Sequence, residues 1–405
     1  MSGPTLISHG CRLNIAESAK IAAMLAGERD LVVVNSGAVT AEAVKTARQA
    51  IRRAKRERPD ARIVVTGCAA EVEPETFRNM AEVSALVPNG SKLDRFGYVP
   101  ASAQRDRARP VAVPTFAGAT HARTFLPVQN GCDHRCTFCI IPYGRGPSRS
   151  LPAGGVIDEI KAAVDAGAQE VVLTGVDLTA YGADLPGQPS LGALVARILR
   201  HVPDLPRLRL SSLDPCEVDD RLFDLIAQER RLMPHLHLSL QAGSDLILKR
   251  MKRRHSRQQA VDLVKRLVAK RPEMAIGADL IAGFPTEDEA MFTDTLALID
   301  DCAIAFAHIF PYSPRMGTPA ARMPQVARPT VKARAARLRA AAAARKAAWL
   351  QEQIGSVTQI LVELDGVSGH AENFMRVALP PAIPNSLVTA RIVAVDGEMA
   401  IGIPA

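Results

Sequence analysis

The strongest constraint on the fold is an alternation, sustained over most of the chain, of short runs rich in β-branched residues with longer amphipathic runs. Strands at 5–9 (TLISH), 31–35 (LVVVN) and 61–67 (ARIVVTG) are separated by helical patterns at 16–26 and 40–57, with Thr40 placed to cap the second helix. Such a series predicts a small open α/β sheet of parallel strands, whose functional loops collect at the strands' carboxyl ends. Those loops are His9-Gly10-Cys11, Ser36-Gly37-Ala38 and Gly67-Cys68-Ala69, which brings Cys11 and Cys68 to one sheet edge.

The alternation restarts on a larger scale after residue 123. Strand patterns at 125–130, 170–175, 207–213, 235–240, 275–283 and 305–312 are separated by helical patterns that include 156–167, 220–231, 257–270 and 288–301. Six βα steps predict an incomplete (β/α)6 barrel, with its chemistry at the carboxyl ends of the strands. Between the two series, residues 101–122 are rich in Ala, Arg and Pro without periodicity and read as a linker. An alanine-rich helix at 327–349 precedes β-patterned pieces at 357–364, 374–379 and 387–395, which predict a small C-terminal β-barrel. The expected organisation is therefore α/β: 1–100 an open α/β domain, 101–122 a linker, 123–350 the partial barrel and 352–405 the small β-barrel.

No run of about 18 uncharged apolar residues occurs, which excludes a membrane-spanning helix. The segment MSGPTLISHGCRLN lacks the basic-then-apolar order of a secretory signal, so a cytoplasmic chain with reduced thiols is expected. The seven cysteines, at 11, 68, 132, 136, 139, 216 and 302, are an odd number in a long chain, which argues against a disulfide framework.

Three of them lie in Asn130-Gly131-Cys132-Asp133-His134-Arg135-Cys136-Thr137-Phe138-Cys139, directly after a predicted strand. Structural zinc favours C-x2-C pairs closed by a fourth ligand. Three thiolates spaced C-x3-C-x2-C suit a four-iron cluster with one iron left open. An open iron can chelate the amino and carboxylate groups of S-adenosylmethionine, whose reductive cleavage gives an adenosyl radical. Zinc held by Cys136, Cys139 and His134 is the alternative for this loop. Cys216 and Cys302 read as buried packing thiols.

The chain resembles the radical-SAM methylthiotransferases over nearly its whole length. The resemblance is carried by HGCRLNIAES, NSGAVTAEA, VVTGCAAE, GCDHRCTFCIIPYGRGPSRS, VVLTGVDLTAYG, RLRLSSLDP, HLSLQAGSDLILKRMKR, IGADLIAGFPTE and FPYSPRMGTPAARM. The C-terminal pieces resemble a TRAM domain, an RNA-binding β-barrel. GCRLN and SSLDP are most similar to the branch that acts on N6-threonylcarbamoyladenosine beside the tRNA anticodon. The resemblance implies replacement of a hydrogen at adenine C2 by a methylthio group, with two molecules of S-adenosylmethionine consumed. It implies a 4Fe-4S cluster on Cys132, Cys136 and Cys139, tRNA as partner, and a reduced flavodoxin- or ferredoxin-type electron donor to a monomeric enzyme.

The resemblance also implies an auxiliary cluster on three cysteines of the first domain. Cys11 and Cys68 match two of them, while the third position is Gly37, which has no side chain. Three readings stand open: a cluster on two thiolates with another ligand such as Ser36, a lost cluster, or a variant sequence of unchanged lineage function. Two further functions follow as alternatives, a single-cluster radical-SAM enzyme impaired in sulfur insertion and a noncatalytic iron–sulfur RNA-binding protein.

Gly175, Asp177, Ser211 and Gln241 occupy strand ends where cofactor or substrate contacts are expected, or where a loop backbone needs satisfying. Gly283-Phe284-Pro285 reads as a turn. His235 and His237 share a strand face but have no third ligand near them in sequence, so they read as barrel-interior residues and not as a metal pair. The formal charge of +8 gathers at Arg52, Arg53, Lys55, Arg56 and Arg58, at Lys249, Arg250, Lys252, Arg253 and Arg254, and along Arg334, Arg337, Arg339, Arg345 and Lys346. These runs are the candidate contacts to RNA phosphates.

Overall fold

The computed structural model describes residues 3–99 and 122–405, so the expected linker at 101–122 lies almost wholly outside the described residues. The chain forms two compact units: Met1–Thr120 with Asn130–Arg135 and Cys139–Ser148, and His121–Gln129 with Cys136–Phe138 and Arg149–Ala405.

The first unit is built on a parallel sheet in the order β1 (Thr5–Ser8), β2 (Leu31–Ser36), β3 (Arg62–Gly67), β4 (Ala85–Leu86). Its helices are α1 (Arg12–Met24), α2 (Ala41–Glu57), α3 (Cys68–Val72), α4 (Pro74–Arg78) and α5 (Ile141–Arg145). Strand β2 is buried throughout because both its faces are covered. Val32 and Val34 pack with Val44, Ala47 and Ile51 of α2, and Val33 packs with Ile21 and Leu25 on the opposite side. Burial of one such side chain stabilises the fold by roughly 1.5–3 kcal/mol. Thr40 caps α2 as expected, its Oγ1 accepting from the Ala43 N–H at 3.1 Å. Helix α1 starts four residues earlier than its apolar period suggests, because Leu13 and Asn14 are buried and Asn14 donates to the His9 carbonyl at 2.8 Å. Cys11 thereby becomes the N-cap residue of α1.

The second unit carries β5 (Thr124–Pro127), Gln129 of β6 (Gln129–Asn130), the strand that runs into the cysteine loop, and β7 (Arg149–Ser150). The parallel series continues through β8 (Glu170–Thr174), β9 (Arg207–Leu210), β10 (Ser212–Leu213), β11 (His235–Gln241), β12 (Ala275–Ala282) and β13 (Ile304–Pro311). Strands β5-β8-β9 and β10-β11-β12-β13 form two parallel sheets separated only by Ser211, a six-step arc with β5 and β13 as its end strands. The main intervening helices are α6 (Ala153–Asp165), α7 (Leu191–His201), α8 (Asp220–Gln228), α9 (Asp245–Arg250), α10 (Arg257–Lys270) and α11 (Glu289–Asp301). This is the partial barrel that six βα steps predict.

Helix α12 (Arg328–Glu352) leads into a closed five-stranded barrel, β14-β15-β16-β18-β17, with β14 (Val357–Val362), β15 (Ser368–Ala371), β16 (Arg376–Ala378), β17 (Leu387–Asp396) and β18 (Met399–Pro404). The small barrel shares a core with the base of the larger one: Ala275, Ala305 and Trp349 pack with Ile360, Val377 and Ile392. A buried ion cluster joins them as well. Glu170 accepts from Arg209 Nε at 2.7 Å, and Arg207 and Arg209 donate onward to the carbonyls of Gln359 and Glu372 at 2.6 and 3.0 Å. Burial alone would raise the Glu170 pKa, but the Arg209 charge and hydrogen bond, with Arg207 behind them, hold it down to about 2.

Candidate active site

In the first unit, the ends of three neighbouring parallel strands present Cys11, Gly37 and Cys68 in a row. A Cβ at Gly37 would lie 3.0 Å from the Gly10 Cα, so these two glycines pack backbone to backbone between the two cysteines. Cys68 opens α3 and is buried, whereas Cys11 is exposed. Gly144 of α5 lies where a Cβ would touch Cys68 Cβ at 3.4 Å, which keeps α5 close to α3. The Arg145 guanidinium donates to Glu17 Oε1 and Asn130 Oδ1, each at 2.9 Å, and to Asn14 Oδ1 at 2.5 Å. Lys92 pairs with Glu17 Oε2 at 2.5 Å. Burial opposes the charge on Arg145, but the Glu17 carboxylate outweighs it and raises the guanidinium pKa above its ordinary value. The row is thus two thiols beside a fixed cation, and it does not fit a three-thiolate cluster because Gly37 offers no ligand.

The loop carrying Cys132, Cys136 and Cys139 follows β6. Gly131 takes φ +73°, and a Cβ there would stand 1.9 Å from the Pro147 carbonyl oxygen, so only glycine permits the turn into Cys132. The Cys132 N–H donates to Gly146 at 3.1 Å. In the second unit, Thr137 anchors the stretch around Cys136: its N–H donates to the Met251 carbonyl at 3.1 Å and its hydroxyl to the Arg250 carbonyl at 2.8 Å. Phe138 meets Phe284 edge-on at 6.5 Å. Arg253 Nη1 approaches Cys136 Sγ at 3.8 Å, while Nη2 donates to Asp214 Oδ2 at 2.6 Å and to the Ser239 carbonyl at 2.8 Å.

At the barrel's strand ends, a Cβ on Gly175 would collide with Gln129 Oε1 at 2.9 Å, and that oxygen accepts from the Asp177 N–H at 2.9 Å. Asp177 also accepts from the Thr179 hydroxyl at 3.2 Å, so Gly175 and Asp177 shape the loop after β8. Gln241 closes β11 in the left-handed region with φ +67°. Ser211 and Thr174 are buried, and among the described residues neither hydroxyl finds a hydrogen-bond partner. By strand alternation Thr174 shares the face of Glu170, and Ser211 that of Arg209. Unpartnered buried hydroxyls at the carboxyl ends of parallel strands fit a polar cofactor that would satisfy them.

Several expectations need correction. Cys216 is exposed, not buried in packing, and its thiol donates to Asp214 Oδ1 at 3.1 Å; partial burial and that carboxylate push it up to about 12. Cys302 is buried as expected, and desolvation pushes it up to about 12. Arg334 is not a surface cation: it is buried and paired with Glu287 at 2.9 Å. Arg337 pairs with Glu289, Arg345 with Glu352 at 3.1 Å and Lys346 with Glu398 at 2.6 Å, while Arg339 is exposed. Arg253 leaves its basic run for the barrel interior. His235 packs against Phe374 and Phe306, as an interior residue should. His237, however, does meet further candidate ligands, Asp279 and His308, from strands distant in sequence. Only the pairing of β11, β12 and β13 brings those three together.

Residues 126–299 match the family model described as Radical SAM superfamily, and residues 5–88 match the one described as Uncharacterized protein family UPF0004. The chain is 46% identical, over 92% of its length and 90% of the relative's, to the threonylcarbamoyladenosine tRNA methylthiotransferase MtaB of Rickettsia prowazekii (strain Madrid E). It is 35% identical to the tRNA-2-methylthio-N(6)-dimethylallyladenosine synthase of Erythrobacter litoralis (strain HTCC2594), over 89% of this chain and 86% of that one. In fold it is similar to the radical S-adenosylmethionine methyltransferase TsrM from Kitasatospora setae, with a TM-score of 0.54 at 16% identity, covering 79% of this chain and 75% of that chain. Among the described residues no helix is long and apolar enough to cross a membrane. With 46% identity to such a relative over nine-tenths of both chains, and a cysteine loop following β6 at the start of a parallel partial barrel, the chain belongs to the radical-SAM methylthiotransferase family.

Proposed function

We propose that this enzyme installs a methylthio group at C2 of N6-threonylcarbamoyladenosine next to the tRNA anticodon. The observation that carries the reading is 46% identity, across nine-tenths of both chains, to a relative named for that reaction. Cys132, Cys136 and Cys139 would hold the 4Fe-4S cluster, and Thr174 and Ser211 would satisfy polar atoms of S-adenosylmethionine at the barrel mouth. When bound, this pair of cofactors supplies the one-electron chemistry that activates an unreactive C–H bond. Arg253 holds a fixed positive charge beside Cys136, and Asp214 locks its orientation. At the start of β11, His235 packs against Phe374 of the small barrel, ring centroids 4.7 Å apart. A low-potential donor of the flavodoxin or ferredoxin type would deliver the electron to a monomer, and the small C-terminal barrel with the exposed part of α12 would meet the RNA backbone. The test is nucleoside analysis of tRNA from a deletion strain. Loss of the 2-methylthio derivative, with its precursor accumulating, is expected, and an unchanged level would overturn the reading.

A further inference from the structure

We infer that His308, oriented by Asp279 and His237 on the barrel wall, is the specificity-determining residue that receives the polar N6 substituent of the target adenine. The inference rests on the reaction proposed above and adds the site that reads its substrate.

The three residues come from consecutive strands, His237 from β11, Asp279 from β12 and His308 from β13, with Asp279 and His308 in direct register. A single carboxylate oxygen, Asp279 Oδ1, contacts both imidazoles, at 2.9 Å to His237 Nε2 and 3.1 Å to His308 Nδ1. Burial alone would raise the Asp279 pKa, but the two imidazole contacts outweigh it and hold the carboxyl well below its usual range. An ionised carboxylate only accepts, so both of those ring nitrogens are donors. His308 is then fixed by its Nδ1 edge, and its Nε2 edge is left as the outward polar atom of a side chain that is 62% exposed. The rings lie 4.6 Å apart at 36°. Gly277 makes the room, since a Cβ there would stand 2.6 Å from His237 Nδ1.

Place and chemistry point to the substrate. His237 and Ser239 share a face of β11, about 7 Å apart along the strand. The Ser239 carbonyl accepts from the same Arg253 that faces Cys136. The histidine–aspartate set therefore lies one pleat below the thiol end of the barrel, with the His235–Phe374 pair beneath it. An adenine whose C2 is presented to the reacting end projects its N6 substituent away from that end and toward the wall. A dimethylallyl group calls for an apolar wall, because burying an ionised aspartate and two imidazoles against it is unfavourable. A threonylcarbamoyl group carries a hydroxyl and a carboxylate that lose hydrogen bonds to water and need replacements. The His308 edge is such a replacement, and a site built to hydrogen-bond a group rejects analogues that lack it.

The test measures equilibrium binding of the full-length protein to three anticodon stem-loops, identical except for threonylcarbamoyl-, dimethylallyl- or unmodified adenosine at the target position. Wild type is expected to prefer the threonylcarbamoyl form. His308→Leu should cut that preference about tenfold, the equivalent of one lost hydrogen bond, while binding the unmodified loop as wild type does. His308→Gln should restore part of it, and Gly277→Ala, which displaces His237, should reduce it in the same direction. A preference unchanged in His308→Leu and Gly277→Ala would overturn the inference while leaving the methylthiolation reading, tested by nucleoside analysis, intact. Wild-type preference for the dimethylallyl loop would overturn both. One equivalent of zinc or manganese bound by wild type and lost in His308→Leu would make the set a metal centre and overturn it as well.

Discussion

Arg253 donates to Asp214 through a 2.6 Å hydrogen bond between two side chains that are only 8% and 5% exposed, and the same guanidinium faces Cys136 from its other nitrogen. A buried ion pair is weak as a source of stability but costly to break on one side, because the surviving charge is left in a poor solvent. Arg253→Met should therefore destabilise the protein by about 3–5 kcal/mol in denaturant titrations. Arg253→Met combined with Asp214→Asn should recover most of that loss. Such recovery of stability without recovery of S-adenosylmethionine cleavage is the expected signature of a cation that also serves Cys136.

Glu170 gives a pH prediction with a definite sign. Its folded pKa of about 2 lies below the ordinary carboxyl value of 4.5, so its contribution is fully present above pH 4.5 and is lost as pH falls toward 2. The size of the linked effect is roughly 3 kcal/mol. Glu170→Gln should destabilise the protein at pH 7 and flatten the acid limb of its stability profile. Chemical denaturation at a series of pH values checks this. A variant with an unchanged acid limb would show that other carboxylates govern it.

Gly37→Cys places a thiol between Cys11 and Cys68. The new Cβ would sit 3.0 Å from the Gly10 Cα, a contact tight enough that the backbone must give by a few tenths of an ångström. With that small shift, anaerobic reconstitution should raise iron from about four to about eight atoms per chain, the difference between one and two four-iron clusters. Methylthio product per turnover of S-adenosylmethionine should rise in parallel. Equal iron at about eight atoms in parent and variant would mean that the two native thiols already suffice, and equal iron at about four that the new thiol builds no second cluster.

Both βα series were legible because buried parallel strands carry runs of Val, Ile and Leu, as in residues 31–34 and 171–173. The Cys132, Cys136 and Cys139 loop was legible because its three residues are local in sequence. What sequence could not reveal was long-range. His237 acquires Asp279 and His308 only through strand pairing, and Arg334 looks like part of a basic stripe until Glu287 buries it. Helix α1 begins at Arg12 because Asn14 turns inward to the His9 carbonyl, a contact that no apolar period encodes.

The late helix allows its structural and RNA-facing cations to be separated. Arg334 is 7% exposed and tied to Glu287, whereas Lys346 is 24% exposed and reaches Glu398, which is itself 82% exposed. An exposed ion pair contributes little to stability and its lysine can exchange a carboxylate for a phosphate. Each phosphate contact made by a lysine or arginine releases counterions and adds about one to the slope of log affinity against log salt. Lys346→Gln and Arg339→Gln should each lower that slope by about one for tRNA while leaving the melting temperature nearly unchanged. Arg334→Gln should do the reverse: a falling melting temperature, from the buried Glu287 left unpaired, with the slope of the surviving folded protein unaltered. Salt-dependent binding isotherms for the three variants, read alongside their thermal melts, decide which arginines of the basic stripe belong to the fold and which to the RNA.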